Sequence, residues 1–246
     1  MLKLYSSTTS YDIAISDHAR FIKDEHIELL STYNKNLVFD VGANIGNRSE
    51  LYLSLFNKVI AFEPQIDCIN HLKSRFTDNR IMIENIALSD HEDVKDIYIC
   101  KDANGISTLS KDYTRNSRFV NQGYKWKDTY QVKCKTLDQM IQKYGLPDYC
   151  KIDVEGFEYQ VISGLNQKIP LLSFECNIDQ LDITVRCLEY LDRLGYTKFN
   201  YTFGERGLYI FKNWLSLSSM VNELQNLKED QRFNLISGVW GDIYCL

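Results

Sequence analysis

The sequence predicts an α/β fold: a mostly parallel seven-stranded sheet with helices on both faces and a terminal antiparallel hairpin. Three observations lead to this prediction. In the middle of the chain, short apolar runs of strand length alternate with segments of helical periodicity. Several of these runs end in glycine or carboxylate residues, as strands do where open parallel sheets bind ligands. Two apolar runs near the end of the chain follow each other closely, which favours a hairpin.

The composition is that of a globular protein, with 246 residues of which 44% are hydrophobic and 25% are charged. We expect a single domain over 1–246. Within it we expect a helical N-terminal segment at 1–36, an inserted hairpin and lid at 94–135, and a C-terminal helix and strand at 214–246. The C-terminal helix is amphipathic, which is typical of core packing or a homodimer face.

Charge and cysteine usage exclude several classes of protein. The net charge of −5 does not support a nucleic-acid-binding surface, and no apolar run is long enough for a membrane span. The seven cysteines are odd in number and contain no C-x-x-C pair, so neither a disulfide framework nor a zinc module is expected. Because the N-terminus lacks the apolar core of a signal peptide, a cytoplasmic location is predicted.

The first elements are predicted from buried runs separated by helical patterns. Ile66, Ile69, Leu72 and Phe76 share one face of the second helix. The strands of this half are LVFDVG at 37–42, KVIAFE at 58–63 and IMIENIAL at 81–88.

The next segment is irregular and predicts an insertion. Two antiparallel strands at 94–100 and 129–135 enclose a long loop at 104–130, and loops of this length are usually functional. The loop is locally basic and aromatic, which predicts a lid that recognises an anionic or glycosylated acceptor; a solvated loop is the alternative. Its residues of these kinds are Lys111, Tyr113, Arg115, Arg118, Phe119, Tyr124, Lys125, Trp126, Lys127 and Tyr130.

Regular structure resumes at Thr136, where Gln139 three residues later predicts a capping box. The remaining elements are predicted in the following order: a strand within 147–156, a helix, a strand at 171–177, a helix ending at Gly195, hairpin strands at 198–203 and 207–213, an amphipathic helix from Leu217, and a short strand within 237–246.

The strongest functional motif is VFDVGANIGN at 38–47 followed by AFEP at 61–64. Gly42 and Gly46 predict a tight turn that opens a helix, where backbone can approach a ligand closely. Glu63 ends the next strand, 21 residues after Gly42, where a carboxylate can accept both ribose hydroxyls. The spacing predicts a nucleoside site; the alternative is a structural turn and a surface glutamate.

The turn also indicates which nucleoside is bound. Asn44 occupies the position where a dinucleotide fingerprint requires glycine, and Asp40 ends the strand before the turn. Neither residue suits a pyrophosphate, which argues against an NAD-dependent dehydrogenase. An acidic lining suits S-adenosylmethionine, because its sulfonium and amino groups are cationic. A non-catalytic cofactor-binding scaffold remains a further alternative.

Five motifs over 37–178 resemble the FkbM-type methyltransferase family: VFDVGANIGN, AFEP, NIALSD, KTLDQM and KIDVEGFEYQVISG. The resemblance implies a Rossmann-like methyltransferase fold and methyl transfer from S-adenosylmethionine to a hydroxyl of a sugar, glycan or other small molecule. Carried over by position, it implies Asp40, Gly42, Ala43, Asn44 and Gly46 around the methionine end, Glu63 at the ribose, Asn85 to Ala87 beside the adenine, and Asp153 near the sulfonium.

KIDVEGFE places Asp153 and Glu155 at the carboxyl end of a strand. Either can serve as the general base, with Asp153 favoured; alternatively both only orient the cofactor and the loop. Lys151 is predicted on the same side of the strand as Asp153, where a buried lysine needs a carboxylate partner. Glu158 is predicted as a first-turn charge of the next helix.

A metal site is the weaker hypothesis at this strand end. Asp153 with Glu175 and Asn177 could offer oxygen ligands to magnesium. Carboxylates at neighbouring strand ends occur readily without an ion, so no metal is expected.

Overall fold

The computed structural model describes residues 29–204, 208–229 and 240–246. Residues 1–28, which make up most of the predicted N-terminal helical segment, lie outside these ranges.

A seven-stranded sheet forms the centre of the molecule, in the order β3-β2-β1-β7-β8-β10-β9. Six of its strands point the same way, and β10 is antiparallel to both of its neighbours. The predicted mostly parallel sheet of seven strands is therefore confirmed. The strands are β1 (Leu37–Val41), β2 (Lys58–Phe62), β3 (Ile81–Glu84), β7 (Tyr149–Ile152), β8 (Leu171–Asn177), β9 (Phe199–Phe203) and β10 (Trp240–Cys245).

A second sheet of three strands carries the insertion, with the order β4-β6-β5. Its strands are β4 (Ala87–Leu88), β5 (Asp93–Ile99) and β6 (Asp128–Lys135). The antiparallel pairing of β5 with β6 confirms the predicted inserted hairpin. The single strand predicted at 81–88 is wrong, because the chain leaves the central sheet after Glu84 and pairs again at Ala87 with Cys134 of β6. Asn85 and Ile86 form the crossing between the sheets.

Helices cover both faces of the central sheet, as predicted. One face packs against helices near the start of the chain, through Tyr52, Ile69 and Leu72. The other face packs against later helices, through residues such as Ile162 and Leu188. The helices are α1 (Asn47–Leu55), α2 (Ile66–Arg75), α3 (Tyr113–Asn116), α4 (Arg118–Asn121), α5 (Leu137–Tyr144), α6 (Glu158–Ser163), α7 (Leu181–Arg193) and α8 (Leu217–Glu229).

The capping box predicted at the start of α5 is present. The Thr136 side chain accepts a hydrogen bond from the Gln139 backbone, and the Gln139 side chain accepts one from the Thr136 backbone. Such reciprocal bonds satisfy two donors that the helix cannot pair internally.

The terminal antiparallel pair uses a different strand from the one predicted. In the described part of 207–213, Tyr209 makes only an isolated bridge to Thr202, and Leu208 and Ile210 are 43% and 51% exposed. β9 pairs instead with β10, which also pairs with β8. Helices cover both faces of the central sheet, so a strand inside it buries side chains on both sides. The segment 241–245 is buried throughout, whereas 208–213 is not.

All seven cysteines are buried as unpaired thiols. Over the ranges that the structure covers, no helix has both the length and the apolar character needed to cross a membrane.

Candidate functional site

The turn between β1 and α1 is held tightly by the rest of the protein. Gly42 and Gly46 have φ angles of +86° and +88°, and Asn44 between them has a φ of 48°. A Cβ atom on Gly42 would lie 1.7 Å from the Asp153 carbonyl oxygen, and one on Gly46 would lie 2.5 Å from the Phe76 ring. Glycine is therefore required at both positions because other parts of the protein pack closely against the turn. This packing fixes the turn relative to the end of β7.

Glu63 lies at the end of β2 and connects two backbone segments. Its side chain is buried, and its Oε2 accepts a hydrogen bond of 2.8 Å from the Asn44 backbone N–H. Its Oε1 accepts one of 2.7 Å from the Gln65 N–H. Burial raises the pKa of Glu63 to about 7, although the two backbone bonds favour the ionised form. Each carboxylate oxygen keeps acceptor capacity for a ligand.

Asp40 and Asn85 lie outside the surface of the cleft. Asp40 is buried beneath the turn, where its Oδ2 accepts a 2.5 Å hydrogen bond from the Ser49 hydroxyl. Burial raises the pKa of Asp40 to about 6, against the effect of this bond. The Asn85 Nδ2 donates to the Glu63 and Pro64 carbonyl oxygens, at 3.1 Å each. Both residues thus position the loops that form the site.

A cleft of about 240 Å³ runs along the carboxyl ends of the central strands. Not all of the residues predicted to bind the cofactor line this cleft: Asp40, Gly46 and Asn85 do not, and those that do are Gly42, Ala43, Asn44, Glu63, Ala87 and Asp153. The sequence gives no signal that β10 joins the cleft, and the lid predicted in the insertion contributes Ser107, Thr108 and Leu109 instead of its basic and aromatic residues. The residues that line the cleft are Val41, Gly42, Ala43, Asn44, Ile45, Asn47, Arg48, Phe62, Glu63, Pro64, Gln65, Ile86, Ala87, Leu88, Ile97, Gly105, Ser107, Thr108, Leu109, Asp153, Val154, Glu155, Phe157, Trp240 and Asp242.

Lys151 forms a buried ion-pair group beneath the end of β7. Its Nζ lies 3.1 Å from the Asp153 Oδ2, as the sequence predicted, and 3.0 Å from the Asp242 Oδ1, which it did not. The Lys151 and Asp242 side chains are almost fully buried, whereas 38% of the Asp153 side chain is exposed. Burial acts to lower the pKa of Lys151, but the two carboxylates outweigh it and raise the pKa above the usual value.

The turn after β7 presents Glu155 to the cleft. Glu155 has a φ of 55°, and Gly156 follows with a φ of 83°. The Glu158 carboxylate accepts hydrogen bonds from the Val154 and Gly156 N–H groups at 3.1 and 3.2 Å. Glu158 thus stabilises the preceding turn and is more than the favourable first-turn charge that the sequence predicted. Burial, and next the charge of Asp153, raise the pKa of Glu155 to about 8.

The acidic group at the strand ends differs from the one considered from sequence. Carboxylate oxygens of Asp153, Glu155 and Glu175 all lie within 4.8 Å of one another, which is the set that could hold a hard cation. Asn177 is not free to join it, because its Nδ2 donates to Glu175 at 2.9 Å and its Oδ1 accepts from Arg118. Burial raises the pKa of Glu175 above its usual range, which favours a proton at this carboxyl group.

Arg118 and four aromatic residues of the insertion contact each other and the rest of the protein, whereas Lys111, Arg115, Lys125 and Lys127 are exposed. The Arg118 guanidinium lies 3.6 Å from Asp179 and 4.6 Å from the centre of the Phe119 ring. Tyr113, Phe119, Tyr124 and Trp126 pack around Ile106 in a small apolar cluster. The predicted lid thus has its own core, and the stacking of these rings on a sugar stays a prediction.

Several solved structures resemble the chain, and a search of curated proteins found no significant match. A methyltransferase FkbM from Methylobacillus flagellatus shares 15% identity with a TM-score of 0.46, over 87% of this chain and 44% of that one. The chain thus spans less than half the length of that protein. A precorrin-6y C5,15-methyltransferase from Geobacter metallireducens shares 10% identity with a TM-score of 0.46, over 91% and 86% of the two chains. A tRNA (m1A58) methyltransferase from Aquifex aeolicus shares 12% identity with a TM-score of 0.40, over 91% and 67%.

The family assignment comes from the sequence itself. The model of the methyltransferase FkbM domain matches residues 40–216, which include the glycine turn, Glu63, the insertion and both acidic strand ends. The match covers more than half of the chain, and the chain belongs to the methyltransferase FkbM domain family.

Proposed function

We propose that the protein is an S-adenosylmethionine-dependent O-methyltransferase that acts on a hydroxyl of a sugar, glycan or other small molecule. The observation that supports this most is the position of Glu63. Its carboxylate is fixed by the Asn44 and Gln65 N–H groups on one side of the cleft, and Asp153 lies at the other end beside Lys151. A fixed acceptor for a ribose diol and an exposed carboxylate are thus combined in one cleft.

The donors and acceptors of the cleft fit this cofactor. Glu63 retains acceptor capacity for the two ribose hydroxyls, and the Ala43–Asn44 turn lines the cleft where it would meet the methionine portion. Ile86, Ala87 and Leu88 offer an apolar surface to the adenine. Asp153 offers negative charge to a cationic sulfonium. When bound, S-adenosylmethionine supplies the methyl group.

Asp153 is the favoured general base in this proposal. It lines the cleft, is partly exposed, and is ion-paired with Lys151. There it would accept the proton that the acceptor hydroxyl loses as its oxygen gains the methyl group. Glu155 is the alternative base; burial and the Asp153 charge raise its pKa to about 8, which favours its protonated form. Much of the rate would come from holding the acceptor oxygen in line within a shielded cleft.

No metal ion is part of the proposed mechanism. Lys151 already supplies a buried positive charge 3.1 Å from Asp153, and burial raises the pKa values of Glu155 and Glu175, which disfavours the fully ionised set that a cation needs. Methyl transfer should therefore survive exhaustive chelation with EDTA. A loss of activity that magnesium or manganese restores would contradict this expectation.

An anionic acceptor stays a prediction. Arg118 is already paired with Asp179 and hydrogen-bonded to Asn177. The other basic residues predicted for the lid do not line the cleft: Lys111, Arg115, Lys125 and Lys127. A cytoplasmic location rests on the seven unpaired thiols and stays a prediction, as does a homodimer.

Two measurements test the proposed function. Calorimetric titration should show binding of S-adenosylhomocysteine and none of NAD. Tritiated S-adenosylmethionine should then label at least one hydroxyl compound in a panel of sugars, glycans and small aromatic alcohols. Binding of NAD in preference would support a dehydrogenase. Tight binding of S-adenosylhomocysteine without transfer to any acceptor would support the scaffold alternative.

A further inference from the structure

We propose that Tyr113 is a positioning residue for the acceptor side of the cleft, because its hydroxyl group holds the Glu155 carboxyl group beside Asp153. This inference rests on the proposed function, since it assigns a role within the methyl-transfer site. It also makes the insertion between β5 and β6 a structural component of that site.

The backbone of Glu155 requires support from its surroundings. Its left-handed conformation is unfavourable for a residue with a side chain. Three contacts from the insertion maintain it. The Thr108 hydroxyl donates a 2.7 Å hydrogen bond to the Glu155 carbonyl, and the Tyr113 hydroxyl donates to the Glu155 carboxyl group. The Tyr113 ring also packs so closely against Gly156 that a Cβ there would lie 2.6 Å from it.

Tyr113 is itself held rigidly within the insertion. It is 1% exposed, and its ring centre lies 5.9 Å from that of Trp126 and 6.2 Å from that of Phe119. The Trp126 Nε1 donates a 2.7 Å hydrogen bond to the Ile106 carbonyl. The hydroxyl of Tyr113 therefore approaches Glu155 from a packed cluster, and its position does not depend on a mobile side chain.

The charges around Glu155 explain why its carboxyl group needs such a donor. Asp153 at the end of β7, Glu175 on β8 and Glu158 on α6 oppose its ionisation, and Arg118 in the insertion favours it. Repulsion within the acidic group would drive an unsupported carboxylate out of the cleft. The bond from Tyr113 favours the ionised form, so its removal should raise the pKa of Glu155 further.

One substitution separates the positioning role of Tyr113 from a purely structural role. The ring packing against Phe119, Trp126 and Gly156 is retained in Tyr113→Phe, and only the bond to Glu155 is lost. Tyr124→Phe is the matched control, because Tyr124 packs in the same cluster, 5.9 Å from Phe119, and lies outside the cleft.

The test compares both variants with the wild-type protein bound to S-adenosylhomocysteine. The Glu155 side-chain carboxyl carbon is followed by ¹³C NMR between pH 5 and pH 10, with Glu155→Gln to assign the signal. We expect its titration midpoint to rise by about half a pH unit or more in Tyr113→Phe and to stay unchanged in Tyr124→Phe. Affinity for S-adenosylhomocysteine should stay within about twofold, while turnover with an acceptor from the panel falls about tenfold.

An unchanged Glu155 midpoint in Tyr113→Phe would overturn the proposal, even if turnover fell. An equal loss of cofactor affinity and turnover would also overturn it, because a general structural defect produces that pattern. A shifted Glu155 midpoint in Tyr113→Phe, together with a wild-type protein that methylates no acceptor, would overturn the proposed function. The contact between Tyr113 and Glu155 would still stand. If Tyr113→Phe does not fold, the Tyr113 ¹³Cζ signal of the wild type replaces it. That signal should move with the Glu155 titration and stay still in Glu155→Gln, and failure to move would refute the contact.

Discussion

Two carboxylates of the cleft, Glu63 and Asp153, lie in different surroundings, and the proposed function gives them different roles. Glu63 is buried and accepts two backbone hydrogen bonds, whereas Asp153 is partly exposed and paired with Lys151. A substitution at Glu63 should act mainly on binding, and one at Asp153 mainly on the chemical step.

Glu63→Ala should weaken S-adenosylhomocysteine binding by about tenfold or more, because bonds to a charged acceptor contribute roughly 1.5–3 kcal/mol. Titration calorimetry measures this change. Glu84→Ala is a suitable control, since Glu84 ends the neighbouring strand β3 but pairs with Lys143 outside the cleft. Equal affinities in Glu63→Ala and the wild type would remove Glu63 from the cofactor site.

Asp153→Asn should lower turnover by about 10²–10⁴, the usual contribution of a general base. Affinity should change less, because the amide oxygen still accepts a hydrogen bond, and Lys151 keeps its contact with Asp242. Rates at saturating cofactor and binding affinities are measured side by side, with Glu155→Gln for comparison. A collapse of affinity with a near-normal saturated rate would show that Asp153 is a cofactor ligand only.

At the level of elements, the glycine turn is a junction between β1, β7 and α2. Gly42→Ala should lower the free energy of unfolding by about 3 kcal/mol or more, since its Cβ would collide with the Asp153 backbone. Gly123→Ala is the control for backbone strain without a steric collision, because Gly123 also has a positive φ, of +90°, but open space around it. It should cost only about 1–2 kcal/mol. Urea unfolding measures both, and similar losses would refute the packing argument.

The elements that sequence predicts well are those with a local pattern. Buried runs such as LVFDV and LLSFECN become strands, and the Thr136 capping box begins α5. The break at Asn85 and the partnership of Lys151 with Asp242 depend on strands that meet only in the folded sheet. Likewise, no local signal connects Tyr113 with Glu155, because the contact arises from the docking of an insertion.

Across the whole molecule, buried carboxyl groups make stability depend on pH. Burial raises the pKa values of Asp40, Glu63, Glu158 and Glu155 to about 6, 7, 7 and 8, above the usual values of aspartate and glutamate side chains. Between about pH 4.5 and pH 8 the folded state therefore binds more protons than the unfolded state. The stability of the ligand-free protein is fully present below this window and should fall as pH rises through it.

We expect the melting temperature to be higher at pH 5.5 than at pH 8 by about 4 °C or more. Thermal unfolding followed by circular dichroism measures this difference. Glu63→Gln removes one titrating group and should flatten the dependence between pH 5 and pH 7. A stability that rises with pH over this range would show that these carboxyl groups are ionised when folded.

The placement of β10 has a consequence for the order in which the protein is made. Synthesis proceeds from the N-terminus, so the ribosome produces β8 and β9 well before the strand that joins them. Among the described strands, β9 has no other partner in the central sheet. Until residues 240–245 emerge, a nascent chain carries an unfilled gap between these strands, and Lys151 has Asp153 but lacks Asp242. The sheet and the ion-pair group beneath the cleft are therefore completed only after residues 240–245 have been synthesised, well after β8 and β9.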